Sequence, residues 1–120
     1  MVEDEDLLRD LARRVLESYG YHVLDAQNAE DALRLCQSFE GCIHLLLTDV
    51  VLPKMNGRQL AESLGRDRPD MKVLYMSGYT DDVILTRDII DRKSAFLQKP
   101  FTTEMLVQKI REVLDRYSLR

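Results

Sequence analysis

A chain of 120 residues, 45% of them apolar, is long enough to bury one real hydrophobic core and too short for two. A net charge of −4 and a pI near 5.2 leave no basic footprint for nucleic acid or for an anionic membrane, which argues against direct DNA binding by this chain. No apolar run approaches membrane-spanning length, and the N-terminus is acidic where a secretory signal would be basic. The two cysteines, Cys36 and Cys42, fit reduced cytoplasmic thiols rather than a disulfide framework or a zinc site.

Helical spacing from Glu5 to Tyr19 places Leu8, Leu11, Ala12, Val15 and Tyr19 on one stripe, and Gly20 stops that helix. Tyr21 to Ala26 alternates as an edge-like strand would, with His22 in a structural role. Asn28 caps a second helix that turns Ala29, Ala32, Leu33 and Cys36 inward. Ile43 to Asp49 is a nearly unbroken apolar run of strand length, interrupted by His44, and predicts a parallel strand buried on both faces. Pro53 with Asn56-Gly57 then forces a loop. Asn56 caps a third helix carrying Leu60, Ala61 and Leu64, with Gln59 in capping-box position. Pro69-Asp70 breaks it, and Met71 to Met76 forms the next strand. A fourth helix is predicted from Asp81 to about Arg92, a short strand over Ala95-Phe96-Leu97-Gln98, and a last helix capped by Thr102 with Leu106, Ile110, Val113, Leu114 and Tyr117 on its stripe. Helix and strand alternate throughout with short connections, which means one α/β domain over 1–120 with a mostly parallel sheet and helices on both faces.

The chemistry gathers at the carboxyl ends of the strands, where open α/β sheets place their ligand crevice. Glu3 and Asp4 precede the first helix, Asp49 ends the central apolar run, Ser77 ends the Met71 strand and Lys99 ends the last one. Each has an ordinary alternative: helix-dipole acids, a turn residue, a solvated lysine. Jointly they are three acids that cannot crowd together ionised without a cation. All-oxygen donors suit Mg²⁺. Lys99 adds the positive charge a phosphoryl group needs, and Ser77 a donor to a phosphoryl oxygen, with Gly78 keeping the approach open.

Four stretches in order, Val2-Glu3-Asp4-Glu5, Thr48-Asp49-Val50-Val51-Leu52-Pro53-Lys54-Met55-Asn56-Gly57, Met76-Ser77-Gly78-Tyr79 and Phe96-Leu97-Gln98-Lys99-Pro100-Phe101, resemble the receiver domains of two-component signalling over nearly the whole chain. The wording of the last two is most similar to receivers attached to hybrid sensor kinases. The resemblance implies a doubly wound five-stranded parallel sheet in order 2-1-3-4-5, an arrangement the family itself exemplifies. It implies Asp49 as phosphoacceptor, Glu3 and Asp4 as magnesium ligands completed by the backbone carbonyl of Val51, Ser77 and Lys99 as phosphoryl contacts, and a cis bond before Pro100. Ser77 and Phe96 are the implied switch residues. The implied donor is a phosphohistidine on a histidine kinase or a histidine phosphotransfer protein. One departure stands out: the family carries an apolar first strand before the acidic pair, and only Met1 and Val2 stand there, so that strand is expected to be truncated, its start falling inside the strand.

Rival readings lack their signatures. An aspartyl phosphatase of the haloacid dehalogenase type carries a second Asp two residues after its nucleophile, where this chain has Val51. A flavodoxin-like nucleotide binder needs a Ser/Thr/Gly-rich phosphate loop where Glu3-Asp4-Glu5-Asp6 would repel the phosphate. A receiver kept only for interaction would not need Asp49, Ser77 and Lys99 together. By the same resemblance, Val51 and Tyr79 flank the phosphoryl group, and neither orients a hydrolytic water as a carboxylate or amide would.

Overall fold

A computed structural model describes residues 1–78 and 95–115. The helix predicted over Asp81 to Arg92, the flanking Tyr79 and the stripe residue Tyr117 lie outside the described residues. Strand β1 (Leu45–Asp49) forms where the apolar run predicts a strand, and from Leu46 onward every residue of it is buried. It pairs in parallel with β2 (Lys72–Ser77), Leu47 opposite Leu74 and Asp49 opposite Met76. Strand β2 pairs in parallel with β3 (Ala95–Gln98), Tyr75 opposite Phe96. Among the described residues the sheet has three strands in the order β1-β2-β3.

Helices cover both faces because successive residues of a strand point to opposite sides. Leu46 joins a core cluster with Ala32 of α2 (Ala29–Ser38) and with Leu60 and Leu64 of α3 (Gly57–Asp67). Leu47, one residue on, joins a second cluster with Leu16 of α1 (Asp6–Ser18) and with Leu106 and Ile110 of α4 (Thr103–Asp115). Accordingly α2 lies beside α3, and α1 beside α4. The capping chemistry holds where the sequence places it. Asn28 accepts the Asp31 N–H at 2.8 Å, Asn56 and Gln59 form a reciprocal capping box, and Thr102 accepts the Met105 N–H at 3.1 Å.

Two expectations need correction. The inward face of α1 is carried by Ala12 and Leu16, while Leu11 and Tyr19 are exposed. The stripe follows the i, i+4 row through Leu8, Ala12 and Leu16, which tilts Leu11 off the core side. The segment Tyr21 to Ala26 forms no regular strand; only Ala26 bridges in parallel to Val2, which in turn bridges to Thr48. A strand needs a neighbour along its length, and among the described residues only the short stretch Met1 to Glu3 hydrogen-bonds this segment through its backbone.

A clamp that the sequence does not announce closes the end of α2. Arg68, just past α3, donates to the carbonyls of Phe39 at 2.8 Å, Gly41 at 2.8 Å and Cys36 at 3.1 Å. One guanidinium thus satisfies carbonyls that the helix end and its loop leave open, which a lysine's single ammonium cannot match in fork geometry. Arg68→Ala is expected to lower stability by about 1–3 kcal/mol, the range for hydrogen bonds to a charged group, and Arg68→Lys to recover less than half of it. Denaturant unfolding of the three proteins checks this.

Candidate phosphoacceptor site

Asp49 stands at the carboxyl end of β1 because the ladder and a glycine hold it there. Its N–H donates to the Val2 carbonyl at 3.2 Å, and the next residue, Val50, donates to Met76 O at 2.8 Å. Past the loop, in which Lys54 takes a left-handed φ of 69°, Gly57 donates to Val50 O at 2.7 Å. A Cβ on Gly57 would run into the Asp49 carbonyl oxygen, so only glycine lets α3 begin this close to the acid. Ser77 ends β2 as a buried residue, and its carbonyl accepts the Lys99 N–H at 2.7 Å, which fixes the chain just after β3.

These anchors bring Lys99 between two acids. Its Nζ lies 2.6 Å from Glu3 Oε2 and 2.6 Å from Asp49 Oδ1. Glu3 is 1% exposed and Asp49 5%, so a partly buried lysine sits between two buried acids and is not the solvated lysine of the ordinary reading. The other Glu3 oxygen accepts the Glu5 N–H at 3.1 Å, and Arg9 donates to the Glu3 carbonyl at 2.9 Å, anchoring the N-terminal turn from below. Asp4, by contrast, is exposed. Burial pushes the Asp49 carboxyl far above the ordinary carboxylate range, to about 8; the Glu3 charge adds to the rise and Lys99 opposes it. For Lys99 burial acts to lower the pKa, but hydrogen bonds to Asp49 and Glu3, with their charges, outweigh it and the ammonium is held.

Carboxylate oxygens of Glu3, Asp4 and Asp49 lie within 4.8 Å of one another. Asp4 and Asp49 line a cleft of about 470 Å³ whose walls also include Val51, Ser77, Gly78 and Lys99, while the buried Glu3 does not line it. All-oxygen donors at an open cleft fit a hard divalent cation such as Mg²⁺, which keeps several waters. Of the residues singled out from sequence, Glu3, Asp4, Asp49, Val51, Ser77 and Lys99 therefore meet at one place. Phe96 does not line this cleft; it is partly buried and packs against the core cluster of Tyr75 and Val50. Sequence reading missed the Glu3–Lys99 contact, Arg9 and the tightness at Gly57, although the Asn-Gly pair before α3 was a signal for the last.

The response regulator receiver domain model matches residues 1–111. The chain belongs to the response regulator receiver domain family. Among relatives, it is 35% identical to sensor kinase CckA of Brucella abortus over 97% of this chain and 12% of that one, and 32% identical to the response regulator receiver protein CpdR of the same organism over 95% and 93%. A solved receiver domain protein from Methanospirillum hungatei, described as CheY-like, superposes with a TM-score of 0.78 at 29% identity, covering 98% of this chain and 92% of that one. NtrX of Brucella abortus superposes at 0.83 with 25% identity over 98% of this chain and 26% of its own. The chain thus spans nearly all of CpdR and a small part of CckA. It is a receiver domain of two-component signalling, a family of signalling switches, and none of its described helices is long and apolar enough to cross a membrane.

The buried acid has a pH consequence that can be checked without any ligand. An unfolded Asp releases its proton near pH 4, whereas folded Asp49 keeps it to about pH 8, so between those values the folded state binds more protons and its stability falls as pH rises. Without added metal, Asp49→Asn is expected to gain on the parent steadily from pH 5 to pH 8. A parallel pair of stability curves would contradict it.

Proposed function

We propose that this receiver domain is a phosphorylation switch in which Asp49 accepts a phosphoryl group from a phosphohistidine on a histidine kinase or histidine phosphotransfer protein. The observation that carries the reading is Lys99 held at 2.6 Å from Asp49 at the mouth of an acid-lined cleft. Mg²⁺, held by Glu3, Asp4, Asp49 and the Val51 carbonyl, supplies positive charge for the phosphoryl oxygens when bound. The chain's own work is positional. Gly57 and the Val2 ladder fix the Asp49 carboxylate, Lys99 lowers the cost of ionising it, and Ser77 donates to a phosphoryl oxygen. An Asp49 oxygen attacks phosphorus in line; the new O–P bond forms as the P–N bond breaks, and its electron pair leaves on the imidazole nitrogen.

The rest of the reading follows from the family. Ser77 moves toward the added charge and Phe96 takes up the space released, a local charge event biasing a two-state element. The sheet completes to five strands in order 2-1-3-4-5, supported by Val2 bridging in parallel to Ala26 on one side and Thr48 on the other. The domain works in the cytoplasm, assists its own phosphorylation and dephosphorylation, and passes its state to an output partner.

Incubation with a small acyl phosphate or phosphoramidate is expected to add one phosphoryl group, read by intact mass, only when Mg²⁺ is present. Asp49→Asn should abolish the addition, and Lys99→Ala should slow it strongly. Phosphorylation of Asp49→Asn on another acid, or equal phosphorylation with a chelator, would refute the assignment.

The phosphoryl group should also be long-lived. Val51 is exposed beside the site and offers no water-orienting group, and Tyr79 is the other flank by sequence position. Val51→Asn with Tyr79→Glu is expected to lose its aspartyl phosphate faster than the parent after donor removal, followed by mass. Unchanged or slower loss would mean these side chains do not guard the site.

A further inference from the structure

We propose that Arg9 is a positioning residue for the cation site, a role that rests on the metal reading given above: its guanidinium fixes the peptide between Glu3 and Asp4, so that the Asp4 carboxylate stays beside those of Glu3 and Asp49. Arg9 stands near the start of α1, yet its side chain is only 18% exposed. Each of its three guanidinium nitrogens meets an oxygen from a different residue. Nη1 donates to the Glu3 carbonyl at 2.9 Å, Nη2 donates to Asp6 Oδ1 at 2.7 Å, and Nε lies 3.6 Å from Asp25 Oδ2. A planar fork reaches three points at once where an ammonium offers one centre.

The turn at Glu3 shows what that fork holds. The Glu3 N–H donates to Ala26 O at 3.1 Å, one residue past Asp25, while the Glu3 carbonyl accepts from Arg9. Arg9 therefore ties together the two segments that meet at Glu3. The Glu3 carbonyl and the Asp4 N–H belong to one planar peptide, so holding that oxygen sets the plane from which Asp4 leaves Glu3. Arg9 closes the turn a second time through its own backbone, whose N–H donates to Glu5 O at 2.9 Å. The Glu3 carboxylate has restraints of its own, Lys99 at 2.6 Å and the Glu5 N–H at 3.1 Å. Asp4 is exposed, and the peptide behind it is what places its carboxylate within 4.8 Å of the other two.

Arg13 separates this role from an ordinary helix ion pair. One turn further along α1, it pairs with Asp10 at 2.6 Å and with Glu17 at 2.9 Å, and it shares Asp25 at 3.9 Å. Its guanidinium hydrogen bonds go to those first two carboxylates, not to the backbone of the acid pair. Exposed pairs of this kind stabilise little, and Arg9 has its own in Asp6. What distinguishes the two arginines is the Glu3 carbonyl. Charge alone gives the opposite sign. Each arginine carries one positive charge, so removing either relieves repulsion of a cation and strengthens its binding slightly. Positioning makes the loss of Arg9 weaken it.

The test titrates Mg²⁺ by calorimetry into the unphosphorylated chain and its Arg9→Ala, Arg9→Lys and Arg13→Ala variants. Arg9→Ala is expected to bind about tenfold more weakly, the lower end of what partners behind metal ligands contribute. Arg9→Lys should bind about threefold more weakly, since one ammonium keeps one of the three contacts. Arg13→Ala should stay within about twofold of the parent. The Asp4 amide resonance should move in both Arg9 variants and hold in Arg13→Ala. With a small acyl phosphate, Arg9→Ala should need more Mg²⁺ for half-maximal phosphorylation yet reach the parent's rate at saturation, which damage to Asp49 itself would not allow. If Arg9→Ala does not fold, Arg9→Lys carries the same comparison. Mg²⁺ binding that is unchanged or tighter in the Arg9 variants, or weakened equally in Arg13→Ala, overturns the role of Arg9 and leaves the metal reading standing. Absence of Mg²⁺ binding in the parent overturns the metal reading, and the role toward a cation falls with it.

Discussion

Everything at the carboxyl edge of the sheet depends on one lysine shared between two buried acids. Glu3, Asp49 and Lys99 come from the N-terminus, from β1 and from the turn after β3, and they meet within 2.6 Å contacts. Removing Lys99 would leave two carboxylates buried against each other without a counter-charge, which costs far more than the ion pair itself contributes. The triad is therefore a geometric constraint more than a source of stability. It holds the ends of distant segments in one register, and it does so where the rest of the cleft is open to a reactant.

That constraint explains why the supporting contacts are so tight. Gly57 brings the start of α3 against the Asp49 carbonyl, the Ser77 carbonyl holds the Lys99 N–H, and Arg9 holds the Glu3 carbonyl. Each holds the backbone of a site residue, so the sheet and its turns fix where the Glu3, Asp49 and Lys99 side chains start, and the lysine contacts fix where the carboxylates end. A site built this way depends on the ladder behind it, and on the N-terminal side that ladder is the pair of Val2 bridges.

Much of this was legible in the sequence, for physical reasons that differ from element to element. Strand β1 could be read because burial on both faces demands an unbroken apolar run, and the caps at Asn28, Asn56 and Thr102 because their chemistry is local. The meeting of Glu3, Asp4, Asp49, Ser77 and Lys99 could be read because topology alone puts strand ends together. The Arg68 clamp could not, since nothing near Arg68 in the chain points to carbonyls some thirty residues earlier. Leu11 and Tyr19 were misplaced because a helical stripe a few residues wide fits more than one rotation, and only packing against α4 chooses between them. The strand expected over Tyr21 to Ala26 had the right pattern but is paired only at Ala26, by Val2, and pattern alone does not supply hydrogen bonds.

Charge balance at the site sets the terms on which Asp49 can react. A nucleophilic carboxylate must be ionised, yet burial and the Glu3 charge both favour its proton, and Lys99 divides its ammonium between the two acids. Asp4 adds a third negative group at the rim. One lysine cannot neutralise three acids, so the arrangement calls for further positive charge before Asp49 can be both ionised and approached by an anionic phosphoryl donor. In the proposed reaction, dependence on a divalent cation follows from the residue count and burial, and not only from family membership. In the proposed switch the same imbalance makes an added phosphoryl group a large local perturbation, since its charge competes for Lys99 with a glutamate that has no solvent to fall back on.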